Sequence, residues 1–315
     1  MSAITRRAAH AAWVASCLGE RAAFRRARAD VGAVQRRLLA ATLARNAACD
    51  YGRRFAFATI RTEAEYRARV PVVGYEDVRA DVDRVAHGER GVLTVEPVLL
   101  LEPTSGSSGA TKLVPYTASL KSEFRRAVDA WLADLYLGDR ALWSGQSYWS
   151  VSPPVATDAR TAGGIPIGFE NDAEYLGAAQ RRLLNKVLAV PSSVRHVAGV
   201  EAFQYATLFH LVRSRHLSLV SVWNPTYFSL LIERLARWLP DLADDIGRGL
   251  VARGDVTGPA ARAEPDRPRA AELRRIAAEG VGLSGLALAV WPRLRLVSCW
   301  AHANAAEHAT ALSAL

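Results

Sequence analysis

The chain has 315 residues, half of them hydrophobic, enough to bury a large core as one big domain or two modest ones. Forty Lys and Arg against 31 Asp and Glu leave a net charge of +9. The arginines are spread over the whole length beside apolar residues at helical spacing, and no zinc finger, aromatic ribonucleoprotein motif or basic tail accompanies them, so a dedicated nucleic-acid function is not expected. No segment reaches the roughly 18 uninterrupted apolar residues of a membrane span, and Cys17, Cys49 and Cys299 form neither a paired framework nor a CxxC motif, which fits a reducing cytoplasmic setting.

In chain order, "TRRAAHAAWVASC" combines twin arginines with a short Ala-rich run and loosely resembles a lipoprotein cleavage box, but His10 interrupts the run and a plain helix is expected. Residues 1–60 read as an N-terminal helical segment. Phe24, Val31, Val34, Leu38, Leu39, Leu43 and Ala47 recur at intervals of three and four, which predicts one amphipathic helix over 21–49, ended by "DYGRRF". Thr62 and Glu65 form a capping box for a short helix that Val70-Pro71 stops. "YEDVRADVDRVAHGE" predicts another helix, closed by Gly88, and "VLTVEPVLLLE" predicts extended chain. Leu120, Phe124, Val128, Trp131, Leu132 and Leu135 share one face of a helix over 118–137. "SYWSVSPP" is expected as a strand, "TAGGIPIGFEND" as a loop, and "AEYLGAAQRRLLNKVLAV" as a helix up to Pro191. "HLSLVSVWNP" predicts a short buried strand and "TYFSLLIERLARWLP" a helix ended by Pro240. Residues 247–269, rich in Gly, Pro and Arg, read as a surface connection, and "WPRLRLVSCW" predicts the last strand before a final helix. Strands and helices thus interleave, the pattern of an α/β domain.

The segment that most narrows function is "LLLEPTSGSSGATKLVPYT", residues 99–117. Glycines let backbone N–H groups converge on an anion, hydroxyls add donors and a lysine adds charge, so a Ser/Thr/Gly loop with one Lys between extended segments suits a polyphosphate. It is not a P-loop, because Thr111 precedes Lys112 and Leu113 follows it. It is not a dinucleotide fingerprint either, because Gly106 and Gly109 are followed by "LVPY" and not by a helix. A flexible linker would have polar flanks, whereas "PVLLLE" and "LVPYT" are apolar. A G-x-G-x-x-G does occur at Gly280, Gly282 and Gly285, but after the helical "AAELRRIAAE", as expected of a helix C-cap and turn. Cys299, His302 and His308 match no standard zinc spacing, and no metal ligands are assigned.

"TSGSSGATK" resembles the phosphate-loop motif of adenylate-forming enzymes, Ser/Thr-Ser/Gly-Gly-Ser/Thr-Ser/Thr-Gly-x-Pro-Lys, departing from it at Thr111, where Pro is usual. With "RNAACDYGRRFAF", "RVPVVGYEDVRADVDRVAHGERGVLT", "GGIPIG" and "WPRLRLVSCW" in that order, the chain is similar over about residues 30–300 to the auxin-responsive promoter (Gretchen Hagen) family of acyl acid–amido synthetases. The resemblance implies the large N-terminal domain of an adenylate-forming enzyme, with ATP and Mg as cofactors and with a small carboxylic acid and an amino acid or amine as partners. It implies activation of the acid as an acyl-adenylate, then amide formation. Carried over by position, Ser105, Gly106, Ser107, Ser108 and Gly109 would cradle the β- and γ-phosphates, with Thr104, Thr111 and Lys112 beside them. Tyr148, Trp149, Trp223, Tyr227 and Phe228 could wall an apolar acid pocket or serve as core aromatics.

The later family motifs, an aromatic-Gly-x-Ser-Glu segment and a ribose-binding Asp, are not found, nor is the smaller C-terminal cap domain. The expectation is therefore a partial adenylation domain over 1–315, weak or inactive by itself. It would be a fragment, a truncated product that a separate C-terminal chain could complement, or a non-catalytic nucleotide-binding or interaction module on a decayed scaffold.

Overall fold

A computed structural model describes residues 3–104, 112–150, 160–168 and 186–315. Among them the helices are α1 (Ala3–Ala27), α2 (Val31–Asn46), α3 (Asp50–Arg54), α4 (Glu63–Arg69), α5 (Tyr75–Ala86), α6 (Ala118–Gly138), α7 (Val200–Arg213), α8 (Pro225–Arg248), α9 (Arg267–Ala278), α10 (Leu283–Val290) and α11 (Ala306–Ser313). The strands are β1 (Val98–Thr104), β2 (Lys112–Thr117), β3 (Gln146–Trp149), β4 (Leu217–Ser221) and β5 (Leu296–Ser298). The chain divides into two compact units, Met1–Ser16 with Leu135–Pro153 and Gly177–Leu315, and Cys17–Asp134 with Pro154–Leu176. Among the described residues no helix is long and apolar enough to cross a membrane.

The first unit is built on a parallel sheet of order β3-β4-β5, with Tyr148 opposite Val220 and Val220 opposite Val297. Leu217, Leu219 and Val220 of the central strand are fully buried, as a parallel strand covered on both faces requires. α7 is buried continuously from Ala202 to Val212, with only its ends reaching solvent. α8 starts at Asn224, whose side chain accepts from the Thr226 N–H at 3.0 Å, with Pro225 in its first turn. Phe228, Leu231, Ile232, Leu235, Trp238, Leu239, Leu242 and Ile246 make up its buried stripe.

Three expectations change here. α8 runs through Pro240 to Arg248: the proline is on the exposed face, while Trp238, Leu239, Leu242 and Ala243 are buried around it, and that burial outweighs the missing N–H. The helix ends instead at Gly249, in the left-handed conformation with φ +73°. The stretch 247–269 is more than a surface connection. It doubles back on itself through the Leu250–Arg262 bridge and buries Val251, Val256, Ala260 and Ala261. The single helix over 21–49 is two helices, because the Asp30 carboxylate accepts from the Ala33 N–H at 2.9 Å and restarts the chain as α2, leaving Phe24, Val31 and Leu38 exposed.

Several expectations hold. Thr62 Oγ1 accepts from the Glu65 N–H at the start of α4, and Gly88 follows α5 with φ +93°. Gly280 follows α9 with φ +62° and Gly282 caps α10, the expected end-and-turn. The helix expected over 173–190 falls largely outside the described residues.

Candidate functional site

In the second unit β1 and β2 form an antiparallel hairpin, with Leu101 opposite Pro115, Pro103 opposite Leu113 and Thr104 opposite Lys112. The Ser/Gly loop therefore connects two directly paired residues. Ser105, Gly106, Ser107, Ser108, Gly109 and Thr111 lie outside the described residues, so the described geometry is that of the stem. Thr104 is exposed and Lys112 half-buried at its end.

The stem is fixed on several sides. Leu101, fully buried with Val85 and Val92, donates its N–H to the Pro166 carbonyl at 2.9 Å and accepts from the Gly168 N–H at 2.8 Å. The "GGIPIG" segment thus continues the sheet along the free edge of β1. Gly163 in turn donates to the Ala86 carbonyl at 2.9 Å, and a Cβ there would come within 2.3 Å of the Gly88 nitrogen, so only glycine permits this approach. Beyond the strands Glu96 accepts from Ser119 N–H at 3.2 Å and from its hydroxyl, with the Arg45 guanidinium at 3.4 Å. The Ser119 hydroxyl bond is the main reason its carboxyl is held below the usual range. A cleft of about 290 Å³ opens beside it, with Thr42, Arg45, Glu96, Thr117 and Glu123 among its lining residues. Tyr75, in the first turn of α5, reaches β2 next to Lys112. Sequence reading saw Tyr75 only as a helix residue, although it stands in the same "VPVVGYEDV" that accompanies the loop in the family resemblance.

The five aromatic candidates belong to the first unit and have different neighbours among the described residues. Tyr148 and Trp149 are successive strand residues and point to opposite faces of the sheet. The Tyr148 hydroxyl lies 3.2 Å from that of Tyr227, whose phenol burial pushes upward in pKa. Trp149 packs instead on Trp13, with ring centroids 5.9 Å apart. Phe228 is buried beside Trp291 as a core residue. Trp223 is 49% exposed and meets Trp300, 58% exposed, edge to face at 5.6 Å, just past the carboxyl ends of β4 and β5. Sequence reading missed Trp13 and Trp300 because they sit in segments read only as helix and strand end.

Among the described residues no three His, Cys, Asp or Glu side chains converge to hold a metal ion.

The GH3 family N-terminal domain matches residues 20–315. The chain belongs to the GH3 family. It is 27% identical over 290 residues to the probable indole-3-acetic acid-amido synthetase GH3.12 of Oryza sativa subsp. japonica, covering 87% of this chain and 47% of that protein. It is 25% identical over 289 residues to the jasmonoyl–L-amino acid synthetase GH3.3 of the same plant, covering 87% of this chain and 62% of the relative. Among solved structures it is similar in fold to the GH3.15 acyl acid amido synthetase, with a TM-score of 0.73 at 20% identity, over 90% of this chain and 50% of the other. This GH3 chain thus spans about half the length of the curated relatives it matches. The expected α/β fold of an adenylate-forming N-terminal part agrees with that likeness.

Proposed function

We propose that this chain is the ATP- and acid-binding part of an acyl acid–amido synthetase, a partial adenylation domain over residues 1–315. The observation that carries this reading is a Ser/Gly-rich loop closing a hairpin between the paired residues Thr104 and Lys112, in a chain of the GH3 family. Thr104, Ser105, Gly106, Ser107, Ser108, Gly109, Thr111 and Lys112 would hold the β- and γ-phosphates of ATP. Backbone N–H groups, hydroxyls and the ammonium would offset the charge that grows on departing pyrophosphate, an electrostatic task suited to donors already in place. A carboxylate oxygen of the acid bonds to the α-phosphorus as the bond to pyrophosphate breaks. An amine then attacks the acyl carbon and AMP leaves, the amine losing its proton. Tyr148 and Tyr227 are the favoured acid-pocket candidates, since their hydroxyls already meet. Trp223 is a rim position, and Trp149 and Phe228 serve packing. The free Cys17, Cys49 and Cys299 support a cytoplasmic setting.

Calorimetric titration of the chain with ATP tests the phosphate site. Wild type is expected to bind, and Lys112→Ala to bind about ten- to a hundredfold more weakly, the worth of one charge-assisted hydrogen bond. Equal ATP affinity for the two proteins would remove the phosphate-site reading.

A further inference from the structure

The hairpin stem reaches its lysine by way of a residue from another element. The Tyr75 hydroxyl accepts the Leu113 N–H at 3.0 Å, fixing β2 at the residue after Lys112. The Lys112 ammonium lies 5.8 Å from the centroid of the same ring. The Arg79 guanidinium, ion-paired to Glu76 at 2.8 Å, stands 5.6 Å from that centroid. One tyrosine thus touches both the backbone and the side chain at the start of β2. α5 holds it there: the Gly74 N–H donates to the Asp77 carboxylate at 2.8 Å, which closes the first turn around Tyr75.

We infer that Tyr75 is a positioning residue for the phosphate-binding lysine, setting where the Lys112 ammonium waits before ATP arrives. This rests on the phosphate-site reading above. A lysine carries a compact charge on a flexible four-carbon stem, and ordering that stem opposes binding. A ring face within about 6 Å attracts the ammonium, and the hydroxyl bond keeps the strand that bears it in register. Tyr75 therefore lowers the ordering cost of the lysine and contacts no substrate itself.

The test uses the full chain with ATP, inorganic tripolyphosphate and AMP as separate probes. Tyr75→Leu is expected to weaken ATP and tripolyphosphate about three- to tenfold, the range of a partly exposed cation–π contact, and to leave AMP unchanged. Tyr75→Phe keeps the ring and should recover most of that loss. In a Lys112→Gln background Tyr75→Leu should add nothing, because the two residues act through one ammonium. A merely structural role would instead weaken all three probes together and add to Lys112→Gln. Should Tyr75→Leu fail to fold, Tyr75→Phe is compared with Tyr75→pentafluorophenylalanine, which keeps the shape and reverses the ring quadrupole. Weaker tripolyphosphate binding by the fluorinated ring supports the inference, and equal binding overturns it. If Lys112→Gln weakens ATP while Tyr75→Leu does not, this inference alone falls. If wild type binds neither ATP nor tripolyphosphate, the phosphate site falls with it.

Discussion

The most connected arginine of each unit sits in a different setting. In the first unit, several charged and polar side chains are sunk with their partners into an apolar matrix. Arg269 is fully buried, donating to the Val212 and Val290 carbonyls at 2.7 and 2.6 Å and pairing with Glu272 at 2.9 Å. Asp245, 2% exposed, accepts from the Tyr205 hydroxyl at 2.8 Å and from the Ala252 N–H at 3.1 Å. In the second unit β2 has no fully buried residue, and Arg84 joins Asp50, Asp81 and Glu89 in an ion-pair network that is partly open to water at every member but Asp81. The difference teaches where a polar contact matters. A desolvated partner left alone must bear its burial without compensation, whereas a solvated one returns to water.

Arg269→Ala should show the largest effect. Its guanidinium satisfies the last turns of α7 and α10, where helices leave carbonyls without intrahelical partners. Removing it strands two buried carbonyls and opens a cavity, and a loss of about 3–5 kcal/mol is expected, in line with other broken buried pairs. Urea unfolding followed by tryptophan fluorescence would measure it. A midpoint equal to wild type would mean that the first unit does not depend on its buried polar groups, and the comparison would fail.

Acid should expose the same dependence. His210 is buried, donates Nε2–H to the Ala260 carbonyl at 2.9 Å, and has its pKa lowered to about 4, chiefly by burial with Arg213 adding repulsion. Unfolded, it would titrate near the ordinary 6.5. Between these two values the unfolded chain binds the proton and the folded chain does not. Stability is therefore full above about pH 6.5 and declines as pH falls towards 4, by about 3 kcal/mol for this group. His210→Gln keeps a donor for the carbonyl and cannot ionise, so its urea midpoint should vary less between pH 7 and 4.5 than that of wild type. Parallel pH profiles would assign the acid loss elsewhere.

The sequence made most elements legible because their signals are local. The three- and four-residue spacing over 118–137 gave α6, the Thr62–Glu65 box gave the start of α4, and the apolar "LSLV" gave β4. What it hid depends on partners distant in sequence. Pro240 reads as a stop until burial around Trp238 and Leu242 is known, and the Gly/Pro/Arg stretch 247–269 reads as surface until its fold-back is seen. At the site, the loop composition pointed to phosphate, but no spacing could show that Tyr75, 38 residues before Leu113, holds the strand behind it. Among the aromatic candidates, strand alternation sends Tyr148 and Trp149 to opposite faces, a consequence already implicit in the strand assignment.

The smallest effect is expected where the model of solvated pairing applies most directly. Arg84 touches three carboxylates, and the Glu89 and Asp50 bonds hold its own pKa above the ordinary value. It meets as many partners as Arg269, yet its own side chain is partly open to solvent, whereas Arg269 is fully buried. Each carboxylate that Arg84→Gln releases is rehydrated, except Asp81, which is 5% exposed and keeps the Arg54 guanidinium at 2.9 and 3.0 Å. The thermal midpoint of Arg84→Gln should therefore fall slightly in low salt and merge with that of wild type near 1 M NaCl, where screening acts over only about 3 Å. A large deficit that persists at high salt would mean that the network is desolvated in solution, and the two units would then treat their charges alike.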